Sequence, residues 1–296
     1  MKKLLFVLLA SAAISPAMAQ TYKYVPAQRT NQPIVLTQGV QGQPVQGQNT
    51  QQQVRRAKKH PTYKLGNPLY RPAAQKGVVS GDIRYTRTPK NNTIAQRASG
   101  SWDVIPAISF GLTDKLVVNA SAGYNRKEIK SAPNKGAKIS SYRTQVDVSY
   151  QFASIDGFDF NGGIGAYYEY VRDSKMAELP SKTGRVSGTD VNLQIGKKIE
   201  NVTPFFTIGF LSDFWSKRGY QTGTNTYINP GVYIDLHEQV GLKLDYTSVV
   251  HAASTYRAVL DFYPQNNIVL GLGAFIVHPQ TDTNNYGALV NFKFGF

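Results

Sequence analysis

The chain has no cysteine, so no disulfide braces it and it offers neither a thiol nucleophile nor a thiolate metal ligand. It has only four histidines, His60, His237, His251 and His278, spaced too widely for a metal motif. No glycine-rich phosphate loop or heptad array occurs, and no cofactor or metal is expected. Beyond residue 19 no apolar run approaches the roughly 18 residues that a spanning helix needs. The longest, Ile268 to Val277, is too short, which excludes a helical membrane protein. Carboxylates are missing from the whole N-terminal quarter, since no acidic residue precedes Asp82.

What is present divides into three regions. Residues 1–19 combine Lys2 and Lys3, an apolar stretch from Leu4 to about Ile14, and Ala17-Met18-Ala19, the pattern of a cleavable secretory signal peptide. Cleavage before Gln20 is expected. Residues 20–75 hold eight basic residues and no acid, with glutamine-glycine repeats such as Gln38-Gly39-Val40-Gln41-Gly42 and the cluster Arg55-Arg56-Ala57-Lys58-Lys59. Such a segment buries too little apolar surface to offset chain entropy, so a disordered, basic periplasmic tail is expected. Gly66-Asn67-Pro68-Leu69-Tyr70-Arg71-Pro72 is more apolar and proline-stiffened, and is expected to be ordered beside the first strand, with entry into the lumen as the competing possibility.

Residues 76–296 alternate with period two. In Tyr142-Thr144-Val146-Val148-Tyr150-Phe152 one face is greasy, while Arg143-Gln145-Asp147-Ser149-Gln151 opposes it. Twelve such runs are predicted, near 78–87, 100–112, 116–125, 140–152, 158–171, 186–199, 203–214, 225–236, 240–248, 254–263, 267–277 and 285–296. Every second connection is tight, as at Thr113-Asp114-Lys115 and His237-Glu238-Gln239, whereas those between, such as Arg126 to Ser140 and Arg172 to Arg185, are long and polar. An even strand number with short turns on one side and long loops on the other predicts an all-β fold, a closed antiparallel transmembrane β-barrel of about 12 strands, with the turns in the periplasm. A soluble sandwich fits less well, because the face opposite the aromatics is polar along strand after strand.

Strand parity assigns Asp82, Arg84, Asp103, Arg143, Asp147, Asp159, Glu169, Asp190, Lys198, Asp235, Lys243, Asp245, Arg257, Asp261 and Lys293 to the lumen. Carboxylates and cations at that density can pair across strands and stiffen the barrel, or form a constriction that selects solutes by charge and size. The long connections carry Arg87, Lys90, Arg97, Arg126, Lys127, Lys130, Lys135, Lys138, Arg172, Lys175, Lys182, Arg185, Lys217 and Arg218, opposed by Glu128, Asp173, Glu178 and Asp213. Outer-membrane lipid and lipopolysaccharide phosphates are the expected partners of that surplus. Export excludes nucleic acid.

The last strand, with Phe292, Phe294 and the terminal Phe296 on alternate positions, resembles the C-terminal signature by which Gram-negative outer-membrane proteins are recognised for barrel insertion. The hairpin Pro106-Ala107-Ile108-Ser109-Phe110-Gly111-Leu112-Thr113-Asp114-Lys115-Leu116 resembles those of small porin-like and opacity-like barrels. The resemblance implies the outer membrane as location and the barrel assembly machinery as a partner. No catalytic residue is expected: Ser248 and Ser254 flank His251, and His278 lies at the same rim, but no hydrolase motif surrounds them. The expected function is a small porin-like channel for small polar solutes. The alternative is a structural or surface-interaction barrel, opacity- or adhesin-like, with a closed lumen.

Overall fold

The computed structural model describes residues 63–74, 76–90, 98–131, 135–174, 183–217, 224–250, 252–279 and 283–296. The proposed signal peptide, the glutamine-rich repeats, the Arg55–Lys59 cluster, His60 and His251 lie outside them.

Twelve strands follow in order: β1 (Gly77–Thr88), β2 (Ser99–Gly111), β3 (Leu116–Ile129), β4 (Lys138–Ile155), β5 (Phe158–Ser174), β6 (Thr183–Lys197), β7 (Val202–Lys217), β8 (Thr224–His237), β9 (Val240–Val249), β10 (Ala253–Gln265), β11 (Ile268–Pro279) and β12 (Asn285–Gly295). Each pairs antiparallel with its neighbours, and β1 closes on β12 with Val78 opposite Gly295 and Arg87 opposite Tyr286. Closure leaves no edge strand, so every strand can satisfy its backbone groups inside the sheet, as a hydrocarbon environment requires. The chain is an outer-membrane-type β-barrel.

Burial follows parity. On β4 Tyr142, Val146, Val148, Tyr150 and Phe152 are exposed on the outer face, while Gln145, Ser149 and Gln151 are buried on the inner one. Leu289, the apolar residue on the polar face of β12, is buried inside the barrel, where it lies over Gly273 beside Val259. Outward aromatics form two belts of different chemistry. Tyr85–Trp102, Tyr124–Tyr142 and Tyr246–Tyr256 sit near the long-loop end with ring centroids 4.8–4.9 Å apart. Phe110–Phe296 and Phe152–Phe160 sit near the short-turn end, each pair 6.2 Å apart. Two aromatic belts flanking an apolar band mark the two membrane interfaces.

Two expectations from sequence need correction. Strands β3 to β6 run further outward than their apolar alternation, because backbone pairing continues to Glu128↔Lys138, Lys138↔Ser174 and Arg172↔Thr183. Arg126, Lys127, Glu128, Lys138, Arg172, Asp173 and Arg185 are therefore strand residues, not loop residues, as are Arg87 at the end of β1 and Lys217 at the end of β7. Of these, Arg126, Lys138, Arg172 and Arg185 are exposed above the tyrosine belt, on the same outward parity. Asp213, counted among the outer-loop acids, is instead on β7, where it accepts a hydrogen bond from Tyr167 across the lumen side. Lys175, Glu178, Lys182, Arg97 and Arg218 lie outside the described residues.

Candidate functional site

Polar side chains fill the barrel interior in three levels. At the short-turn end the chain plugs its own barrel. Residues 63–74 enter the mouth before β1 begins, turning at Lys64–Asn67 and Asn67–Tyr70, where backbone N–H groups bond back three residues at 2.9 Å. Asn67 holds the second turn, its Oδ1 accepting from Leu69 N at 2.9 Å while its Nδ2 donates to Thr203 Oγ1 at 3.0 Å. Tyr63 donates to Asp159 at 2.8 Å, Gly66 N to Tyr263 Oη at 3.1 Å, and Lys64 reaches Asp235 at 3.4 Å. Leu65 packs with Val78, Tyr263 and Val269, and Leu69 fills the space over Gly196. Leu69, Asn67 and Arg71 are fully buried. The segment thus touches both sides of the mouth, from the β2–β3 turn, through Arg71 to Lys115 O, to β10.

Burial changes the ionisation of this segment. It raises the Tyr63 hydroxyl above its ordinary value, with the adjacent Asp159 carboxylate adding to the effect. It pushes the Arg71 guanidinium down to about 9, against the pull of Asp159. Two Arg71 nitrogens, Nε and Nη2, have no hydrogen-bond partner.

At mid-height the lumen is braced by ion pairs. Arg257 grips Asp245, with Nη2 2.8 Å and Nε 2.9 Å from Oδ2, and Arg84 meets Asp82 at 2.6 Å. Lys243, Asp261 and Lys293 are buried among them. Toward the loop end Arg143 lies 3.6 Å from Glu169 and stacks over the Tyr167 ring at 3.6 Å. Asp103 accepts from Asn125, Asp147 from Gln145 at 2.7 Å, and Asp190 from Tyr227 at 3.1 Å. Asp235 sits near the short-turn rim, 3.2 Å from Lys198. Each residue that parity assigns to the lumen therefore stands on the inner wall or its rim, but their grouping was not visible in the sequence.

Below the loop rim, where Lys127 stands, the wall β2–β7 presents Asp103, Asp147, Asp159, Glu169, Asp190 and Asp213, with Arg143 as its cation among the described residues. The wall β9–β12 with β1 presents Lys243, Arg257, Lys293 and Arg84 against Asp245, Asp261 and Asp82. A cavity of about 90 Å³ separates the two walls, lined by Asp103, Asp147 and Glu169 on one side and Lys243, Arg257 and Lys293 on the other, with Ile105, Ala107, Val259 and Leu289 between. A second, of about 50 Å³, shares Asn119, Gln145, Asp147, Lys243 and Arg257 with it and ends on Pro68 of the plug.

The serine–histidine cluster at the rim is only partly assembled. Ser254 lies opposite His278 in the β10–β11 register, but its hydroxyl bonds Tyr246 at 3.0 Å and Ser248 at 3.3 Å, and the His278 ring bonds Asn284. The three terminal phenylalanines lie on the outer face of β12 and just beyond it. Phe292 covers Gly81 and Phe296 covers Gly77, filling the space that side chains on β1 would take and so seating the closing strand pair.

No family model and no curated protein matches the sequence. Solved structures do match in shape. An outer membrane channel from Pseudomonas putida F1 aligns at a TM-score of 0.54 with 8% identity, over 76% of this chain and 97% of that one. The beta domain of the Bordetella autotransporter BrkA aligns at 0.49 with 13% identity, over 74% and 98%, and the NanC porin at 0.47 with 9%, over 72% and 98%. At such identities the likeness concerns the fold, an outer-membrane β-barrel.

Proposed function

We propose that the chain is a passive, porin-like channel for small polar solutes, not an enzyme, and that residues 63–74 close its short-turn mouth. The observation that carries this reading is the pair of adjoining cavities that descend between the charged walls and stop on Pro68. A barrel serving only as a scaffold would gain from filling that space with interlocking side chains, since buried polar surface without partners is costly. Apart from the Ala74↔Gly111 bridge the plug lies outside the strand pairing of the barrel, which closes between β1 and β12 without it. Short turns face the periplasm in bacterial barrels, which puts the plug there.

The plug itself favours a second reading, a closed surface barrel. Planar bilayers separate the two. The full chain is expected to show rare conductance steps, and the Leu65→Asp, Leu69→Asp double variant frequent ones. Silence of both proteins establishes the closed barrel.

The exposed cations above the tyrosine belt, Arg126, Lys138, Arg172 and Arg185, are read as contacts for lipopolysaccharide phosphates. Glutamine at all four is expected to remove the thermal stabilisation that added lipopolysaccharide gives the barrel.

A further inference from the structure

Asp82, Glu169, Asp235 and Asp245 each have a cation within reach of an ion pair, but Asp147 and Asp190 form none among the described residues, and both face the smaller cavity. They stand in one row of the sheet, Asn119↔Asp147↔Gly165↔Asp190, separated only by glycine. The Asp147 carboxylate folds into the space that a side chain at 165 would take, and Asn192 lies in the same way over Gly163. Two inward glycines on β5 thus widen the lumen into a recess that the Asp147 carboxylate enters and that Asp190 lines from the neighbouring strand.

The recess is rich in acceptors without donors. Asn119 Oδ1, Asp147 Oδ2 and Ser149 Oγ are buried and have no hydrogen-bond partner, and Asn119 and Ser149 are more than nine-tenths buried. Nearby Arg143 does not fill the vacancy, being occupied by Glu169, the Tyr167 ring and Gln145. Such a group of acceptors suits a compact cation with several N–H donors, for which each bond is charge-assisted. Across the same cavity stands the buried Lys243 ammonium, which makes no ion pair among the described residues, with Arg257 beside it held by Asp245. The cavity therefore offers anionic acceptors on one wall and a cationic donor on the other.

We propose that this recess is a subsite for small zwitterions of the amino-acid class. The solute's ammonium sits on the cavity side against Asp147 Oδ2 and Asn119 Oδ1, beside Asp190, and its carboxylate points toward Lys243. Access rests on the channel reading above, whereas binding does not.

The test is calorimetric titration of the full chain, folded in detergent, with glycine, ethanolamine and glycolate as probes. Glycine is expected to bind about tenfold or more tightly than either half-probe, the value of one added charge-assisted contact. Asp147→Asn and Asp190→Asn should reduce glycine to the level of glycolate, and Lys243→Met should reduce it to that of ethanolamine. Gly165→Ala, which alters no charge, should weaken glycine and ethanolamine together by displacing the Asp147 carboxylate from the space it occupies. Heat-modifiable gel mobility confirms that each variant is folded. Equal binding of all three probes, or glycine binding untouched by both carboxylate variants, overturns the proposal. A barrel that binds glycine but is silent in bilayers defeats only the channel reading; one that conducts without binding glycine defeats only this one.

Discussion

The two walls of the lumen solve the same electrostatic problem differently. On the wall made by β9–β12 and β1, Arg257 is locked onto Asp245 and Arg84 onto Asp82, so much of the charge is neutralised within the wall. On the wall β2–β7 Glu169 has such a partner, whereas Asp103, Asp147 and Asp190 rely on an asparagine, a glutamine and a tyrosine. The second wall is also the taller, with strands β4–β7 of 15 to 18 residues against 10 to 13 for β9–β12. Charge that is paired inside a wall holds that wall together. Charge supported only by neutral groups is left to meet water or solute, and the difference separates bracing residues from those open to the cavity.

The sharpest way to break the comparison is to remove one member from each wall. Arg257→Met strands Asp245, whose carboxylate is almost wholly buried, and is expected to cost about 3–5 kcal/mol. Asp147→Asn keeps the bond to Gln145 and removes a repulsion, so it should change stability by about 1 kcal/mol or less. Urea unfolding followed by the fluorescence of Trp102 and Trp215 reads both; equal losses would erase the distinction between the walls.

The next effect contrasts the two faces of the tall wall. Val148→Arg places a cation in lipid from β4 and should cost about 2–4 kcal/mol near mid-membrane. Ser121→Arg places the same group in the larger cavity, facing carboxylates, and should be nearly neutral in stability. It should also lower the cation preference of any conductance, measured as a shift in reversal potential under a salt gradient. Lys243→Met with Lys293→Met should move that preference the other way, by a smaller margin, since the opposing wall still dominates the field.

Much of this was legible in the sequence because a barrel strand exposes its two faces to solvents of opposite character. Parity alone placed Val148 outside and Asp147 inside, and tight turns such as Thr113-Asp114-Lys115 marked the strand ends. Parity cannot say which inward residues meet. That Asp147 and Asp190 share a recess depends on the absence of a side chain at Gly165, and on a register set by neighbouring strands. The plug was half visible: Pro68, Leu69 and Tyr70 marked 66–72 as different from the glutamine repeats, but nothing local told that Leu69 would lie over Gly196, far away in sequence. The strand extensions at β3–β6 escaped because polar residues above the membrane carry no hydrophobic alternation.

The smallest expected effect concerns the plug, which joins the two walls, and it is a pH dependence of opposite sign at its two ends. At Arg71 the seated form holds its proton only to about pH 9, whereas the released side chain keeps it far above that. Above pH 9 the released state therefore binds more protons, so seating strengthens as pH rises, approaching about 1.4 kcal/mol per unit. At Tyr63 the seated form keeps its proton beyond the ordinary 10.0 at which the released hydroxyl ionises, so this residue's contribution is complete below pH 10 and is lost above it at a similar slope. The intact plug should therefore tighten from pH 9 to 10 and level off above. Tyr63→Phe should go on tightening past pH 10, and Arg71→Met should stay flat to pH 10 and then loosen. A fluorinated leucine at position 69, followed by fluorine NMR, reports seated and released populations directly. Identical pH profiles in the three proteins would show that neither group titrates with plug seating.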